Sequence, residues 1–192
     1  IARLNDHTAY VALGSNLGEP AVTLTRAAGR MDGILPGVRL AARSRIWHTA
    51  PLVTPEEEYP LPECLRALAA STPPGFAAVW AKPPAPWYAN MAVRLDLAPE
   101  ITPEILFEAL MALEAAAGRN RIMETRWGPR IIDIDLLAFG AETRATPRLT
   151  LPHPRLLERA FVLLPLSEIA PDVATAEILA GLSFTASGTM LF

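Results

Sequence analysis

Cysteine and lysine are almost missing from this sequence. Cys64 is the only cysteine, so no disulfide can close within the chain. One cysteine and three scattered histidines, His7, His48 and His153, leave no ligand set for a structural zinc. No apolar run approaches the roughly 20 residues of a membrane-spanning helix. The first residues lack the charged-then-apolar pattern of a secretory signal, and a cytoplasmic protein is expected. The chain opens on Ile1, not Met, which is compatible with a piece of a longer product. The phosphate-binding pattern G-x-x-x-x-G-K-[ST] and the dinucleotide pattern G-x-G-x-x-G are absent, which excludes a P-loop enzyme. There is no G-x-S-x-G, and Ser15 has no evident base partner, which argues against a serine hydrolase. There is no internal repeat.

What is present describes one globular unit. The chain has 192 residues, 51% hydrophobic and 19% charged, with a net charge of −3. A chain of this size buries roughly 70% of the surface its unfolded form exposes. The near-neutral charge gives no argument for nucleic acid. The single lysine, Lys82, stands against 16 arginines. Four of these, Arg119, Arg121, Arg126 and Arg130, crowd into twelve positions where Glu124 is the only acid. Guanidinium groups offer a planar fork that suits phosphate. The alternative is a solvated, arginine-rich surface loop.

The order of elements is α+β. Thr8 to Gly14 is a short apolar run ending in glycine, which predicts a buried strand, with Gly14 to Gly18 as a turn. Pro20 to about Asp32 predicts a helix with Leu24, Ala28 and Met31 on one face. Gly37 to His48 alternates in part and predicts one long strand. Residues 51 to 86 hold nine of the 19 prolines, which excludes a central strand and marks an insertion or long loop, with a short helix expected at Glu63–Ala70. Trp87 to Leu97 predicts another strand. Thr102-Pro103-Glu104 is a helix start, with a hydroxyl cap, proline in the first turn and an acid at the positive dipole end. That helix should reach Ala117, burying Ile105 or Leu106, Leu110 and Leu113, and stop at Gly118. Ile131 to Phe139 predicts a further strand, and the rest a helical or turn-rich tail. Strand-helix-strand twice over predicts a single domain over 1–192: a ferredoxin-like antiparallel sheet with helices packed on it, interrupted by a Pro-rich insertion at about 53–86.

The chemistry centres on Ile132-Asp133-Ile134-Asp135-Leu136. Residues two apart in a strand share a face, so Asp133 and Asp135 project together while Ile132, Ile134 and Leu136 pack on the other side. Two carboxylates about 4 Å apart repel by about 1 kcal/mol in water and about 4 kcal/mol at an effective dielectric of 20. A divalent cation reverses that sign, and few hard oxygen donors suit Mg²⁺ bound together with phosphates. The alternative is a wet outer strand face. The arginine segment runs directly into this strand, an arrangement that suits a metal-bridged polyphosphate. His153, between two prolines, is a candidate phosphate contact or a structural histidine; His7 and His48 are read as structural. Trp127-Gly128-Pro129 is either a lid over a nucleotide or a turn with one partly buried ring.

In this order, Ala12-Leu13-Gly14-Ser15-Asn16-Leu17-Gly18, Thr49-Ala50-Pro51-Leu52, Tyr88-Ala89-Asn90, Arg126-Trp127-Gly128-Pro129-Arg130 with Asp133 and Asp135, Leu151-Pro152-His153-Pro154-Arg155 and Arg159-Ala160-Phe161 resemble the 6-hydroxymethyl-7,8-dihydropterin pyrophosphokinase family of folate biosynthesis. The likeness covers most of residues 8 to 172. It implies transfer of diphosphate from ATP to a pterin alcohol, with ATP as co-substrate and two Mg²⁺ ions on Asp133 and Asp135. By the same resemblance Arg119, Arg130, Asp133 and Asp135 serve the transfer itself. Arg119, Arg121, Arg130, His153 and Arg159 bind phosphates, with Arg126 and Trp127 in a mobile loop. Glu114, Leu136 and Thr150 lie on the ATP side. Tyr88 and Phe161 sandwich the pterin, Asn90 bonds its amide edge, and Thr49 and Leu52 line the pocket. A flat heteroaromatic ring does want aromatic faces and a few aimed polar groups, although Tyr88 and Phe161 taken alone would read as core. The resemblance also implies a fused or neighbouring folate-pathway enzyme, and no partnership with nucleic acid or membrane.

This chain departs from the family pattern in three places: a much longer stretch between Leu52 and Tyr88, an arginine loop one residue longer and without lysine, and a tail after Asp172 that matches little. Two other readings stand beside it. A metal-dependent D-x-D transferase could use another nucleotide substrate, such as a nucleotide sugar. A non-catalytic ferredoxin-like binding domain for RNA would want basic and aromatic residues in the RNP1 pattern, which is absent.

Overall fold

The run TAYVALGS is buried along nearly its whole length, as a strand flanked on both sides must be. In the computed structural model, which describes residues 7–49, 88–119, 130–181 and 189–191, this run is β1 (Thr8–Ser15), near the centre of an antiparallel sheet. β5 (Asp133–Phe139) pairs with one edge of β1 and β4 (Tyr88–Leu97) with the other. β4 in turn pairs with β2 (Val38–Arg43) and β3 (Trp47–Thr49). The expected 53–86 insertion and the helix at Glu63–Ala70 lie outside the described residues.

Helices cover both faces. α1 (Pro20–Met31) and α2 (Pro103–Ala116) bury Leu24, Ala27, Ala28, Met31, Leu106, Leu110 and Leu113 against Val11, Leu13, Val93, Leu95, Ile132 and Ile134. Each such large side chain contributes roughly 1.5–3 kcal/mol by leaving water. Of the two candidates on α2, Leu106 is the buried one and Ile105 is exposed. α3 (Ala160–Ser167) packs on the opposite face, where Val162, Leu163 and Leu166 meet Tyr10, Ala92, Leu137 and Ala138. The register of β5 on β1 shifts between Tyr10 and Val11, so β5 holds an extra residue there. Leu136 and Phe139 therefore enter the first core while Leu137 and Ala138 enter the second.

The caps follow the sequence signals. The Thr102 side chain accepts from the Ile105 amide at 3.3 Å, and Gly118, at φ +99°, ends the turn after α2 in a conformation disfavoured for residues with a Cβ. Thr102→Ala is expected to lower stability by about 1 kcal/mol, read from the urea midpoint.

Two expectations need correction. The stretch 37–48 is not one strand. It breaks at Ser44, whose amide donates to the Ala92 carbonyl and whose Oγ accepts from the Ala92 amide, so a side chain replaces one ladder partner. The tail is also not only helix and turn. After β6 (Arg144–Ala145), β7 (Thr150–Leu151), α3 and α4 (Ala176–Gly181), the chain returns as β8 (Thr189–Leu191) to pair with β3. A three-residue strand is too short to read from alternation. Among the described residues no helix is long and apolar enough to cross a membrane.

Candidate active site

Register places the site residues. Gly14 on β1 lies opposite Asp133 on one side and Asn90 on the other, and Asn90 lies opposite Trp47. Directly paired residues in a sheet point to the same face. One row therefore runs Asp133, Gly14, Asn90, Trp47 across four strands, on the face that carries α3. Asp135 and Tyr88 stand two positions further along their own strands, on the same face. The glycine leaves room for its neighbours: a Cβ on it would press on Asn90 Oδ1 at 3.3 Å and meet the Asp133 Cβ at 3.9 Å, an ordinary contact.

The Asp133 end is an ionic network. Glu114, on α2 and only 2% exposed, accepts from Arg119 Nη1 and from the Ile134 amide, each at 2.8 Å. Arg119, itself 7% exposed, also donates from Nη1 to Asp133 Oδ1. Arg130 donates to Asp133 Oδ2 at 2.9 Å. Asn16 anchors Arg130 through its backbone: Oδ1 accepts from the Arg130 amide at 2.8 Å, and the Asn16 amide donates to the Arg130 carbonyl. The turn that looked like mere punctuation thus holds the last arginine of the cluster. Its signal was an asparagine inside Gly-Ser-Asn-Leu-Gly. Glu114 had a signal too: it falls one helical step beyond Leu110 on the apolar stripe of α2.

Asp135 lacks such compensation. Burial, then the neighbouring Asp133 charge, push its carboxyl from the ordinary 3.8 up to about 6, with Arg159 pulling in the opposite direction. Arg159, at the start of α3, has its own pKa lowered, mainly by burial and by Arg155. It lies 5.4 Å over the Phe161 ring, close enough for a cation–π contact. Burial, then Arg159 and Arg155, lower the pKa of His153, while Asp133 opposes them. His153 donates its amide to Leu137 on β5, and its Nδ1 accepts from the Arg155 amide. Both carboxylates, Arg159 and His153 therefore share one electrostatic field.

The other end of the row is neutral. Asn90 Nδ2 donates to Thr49 Oγ1 at 2.8 Å, and both residues are buried. Tyr88 is half-buried beside them.

The residues suit a divalent cation with phosphate. Asp133 and Asp135 are hard oxygen donors on one face, and among the described residues no third acid, histidine or cysteine completes a metal cluster with them. A carboxylate offers about four acceptor positions, so Asp133 keeps capacity beyond its two arginines. The structure thus gathers Asp133, Asp135, Glu114, Arg119, Arg130, His153 and Arg159 at one end, and Thr49, Tyr88, Asn90 and Phe161 around the middle of the same face. Thr150 is exposed on β7. The Leu136 side chain is 4% exposed in the first core, on the face opposite the carboxylates, as strand alternation predicts. Leu52, Arg121, Arg126 and Trp127 lie outside the described residues.

Residues 10–171 match the sequence profile of the 7,8-dihydro-6-hydroxymethylpterin-pyrophosphokinases. The chain belongs to that family. Within it, a 2-amino-4-hydroxy-6-hydroxymethyldihydropteridine pyrophosphokinase of Methylorubrum extorquens is 39% identical over 165 residues, 86% of this chain and 84% of that protein. The protein of the same name from Pseudomonas aeruginosa is 35% identical over 164 residues, covering 85% of this chain and 81% of its own. A solved HPPK-DHPS chain from Plasmodium falciparum shares the pyrophosphokinase fold, with a TM-score of 0.52 at 14% identity. That likeness covers 86% of this chain, which spans 40% of the longer one.

Proposed function

We propose that the row from Asp133 to Asn90 is the active site of a folate-biosynthesis enzyme that transfers diphosphate from ATP to 6-hydroxymethyl-7,8-dihydropterin and releases AMP. The observation that carries this is the placing of the arginine-bound Asp133 and the under-compensated Asp135 on one sheet face with a buried Asn–Thr pair, in a chain of this family. The antiparallel strand order β5-β1-β4-β3, with α1 between β1 and β2 and α2 between β4 and β5, supports the ferredoxin-like reading.

In this reading ATP lies along the arginine side and the pterin over the middle of the row. Asn90 meets the amide edge of the pterin, with Thr49 holding the Asn90 amide in place. Tyr88 and Phe161 cover the two ring faces, and Leu52 closes the pocket. Arg130, His153 and Arg159 face the phosphates, together with Arg121 and the Arg126–Trp127 loop. Thr150 borders the ATP side. Glu114 and Arg119 fix Asp133. Asp133 and Asp135 would hold Mg²⁺, two ions in our proposal, which supplies charge neutralisation to the polyphosphate when bound. The hydroxymethyl oxygen forms a bond to the β-phosphorus as the bond from that phosphorus to the α–β bridging oxygen breaks. AMP departs with that oxygen, and the hydroxyl proton goes to water. The chain's own contribution is alignment and preorganised positive charge.

We further propose that residues 1–192 are one pyrophosphokinase domain with the Pro-rich stretch at about 53–86 inserted beside the pterin side. A cytoplasmic setting and a fused or neighbouring folate-pathway enzyme belong to the same proposal. Incubation with ATP, Mg²⁺ and the pterin is expected to produce AMP one-for-one with pterin diphosphate, and chelation of Mg²⁺ to stop it. ADP as the product, or no turnover, overturns the reading.

A further inference from the structure

Glu168 follows α3 immediately and reaches more than 120 residues back along the chain. Its Oε2 accepts from the Arg45 amide at 2.9 Å. Its Oε1 accepts from Arg45 Nε and from Trp47 Nε1, each at 3.0 Å, and also pairs with Arg45 Nη2. This one carboxylate therefore takes the Arg45 amide in the break between β2 and β3 and grips the Arg45 side chain within it and the Trp47 side chain at the start of β3. Burial alone would push its pKa up; the bonds from Arg45 and Trp47 outweigh that and hold it below the ordinary carboxylate range. It stays ionised throughout the neutral range, and bonds to an ionised acceptor are the stronger kind.

The clasp joins two elements that the proposed pterin pocket needs at a set separation. Trp47 stands in register with Asn90, and Thr49, two residues on, bonds Asn90. Phe161 is the second residue of α3, the helix that ends at Glu168. β3 is only three residues long and draws few ladder bonds from β4, so a side-chain tie has leverage on its position.

We propose that Glu168 is a positioning residue for pterin binding: by clasping Arg45 and Trp47 it holds β3 and Thr49 at a defined distance from Phe161. The inference rests on the pyrophosphokinase reading of the site. It separates the two substrates, because ATP is assigned to the opposite end of the row, where Glu114 and Asn16 do the anchoring.

The test is kinetic and by equilibrium binding. Glu168→Ala is expected to raise the KM for the pterin roughly tenfold and to leave the KM for ATP and kcat within about twofold. Titration of pterin fluorescence in the presence of a non-hydrolysable ATP analogue should show the same weakening without turnover. Glu168→Gln keeps one acceptor oxygen and should fall between the two. Trp47→Phe removes the indole N–H bond together with part of the ring and should weaken pterin binding about threefold; it carries the test if Glu168→Ala does not fold. An unchanged pterin KM in a folded variant, or equal losses toward both substrates, overturns the inference. A wild-type protein that neither binds nor turns over the pterin instead overturns the functional reading beneath it.

Discussion

Asp135→Asn is expected to make the metal-free protein more stable at neutral pH and, at the same time, to cut turnover roughly 100- to 1000-fold. The two effects share one cause. The folded protein holds this carboxyl at about 6 against an ordinary 3.8, because burial and then Asp133 oppose its charge. Below the ordinary value both folded and unfolded chains are protonated there, and the site costs nothing. As pH rises from about 3.8 to about 6, the unfolded chain ionises this group while the folded protein still holds its proton, and stability falls. The loss is on the order of 3 kcal/mol once the titration is complete. An amide in place of the carboxyl removes that penalty along with the proposed metal ligand. Urea midpoints of wild type and Asp135→Asn should coincide near about pH 3, separate as pH rises from about 4 to about 6, and stay apart above that, with the variant ahead. Adding Mg²⁺ with ATP should narrow the gap by stabilising wild type alone. Curves that coincide at every pH, or wild-type rates at saturating Mg²⁺, would sink the assignment.

Glu114→Ala should act in the opposite sense on stability. Glu114 is buried, accepts from the Ile134 amide on β5 and pairs with Arg119, itself 7% exposed. Its removal takes a carboxylate away from a buried guanidinium that also bonds Asp133, and takes away the acceptor of a sheet amide. Breaking a buried ion pair from one side costs about 3–5 kcal/mol. Turnover should fall as well, because Arg119 and the backbone beside Asp133 lose their anchor. Glu114→Gln keeps an oxygen for the Ile134 amide and should lose less stability. Calorimetric melting of the three proteins checks the order wild type, Gln, Ala; a loss under about 1 kcal/mol for Glu114→Ala would mean that Glu114 is not the keystone of this network.

Much of this frame was legible in the residues alone. The Thr102-Pro103-Glu104 start and the Gly118 stop act through backbone groups within a few positions of themselves, so α2 followed from local chemistry. The Asp133–Asp135 face followed from strand alternation, and the opposite face, Ile132 and Ile134, lies fully buried as expected. Leu136 follows the same alternation into the core. The break at Ser44 was not legible, because it depends on what Ala92, 48 residues later, can offer. The same holds for Glu168, an ordinary acid in the sequence until folding brings Arg45 and Trp47 to it.

The sequence by itself determined the carboxylate couple, the arginine supply, the helix ends and the membership of a family, since each rests on neighbours in the chain or on the order of short motifs. Only the tertiary structure decided how charge is shared out: which arginines meet Asp133, why Asp135 is left under-compensated, and which distant acid bonds Arg45 and Trp47 beside β3. The reason is distance. Coulomb energy and desolvation depend on separation in space, and sequence spacing sets that separation only within one element.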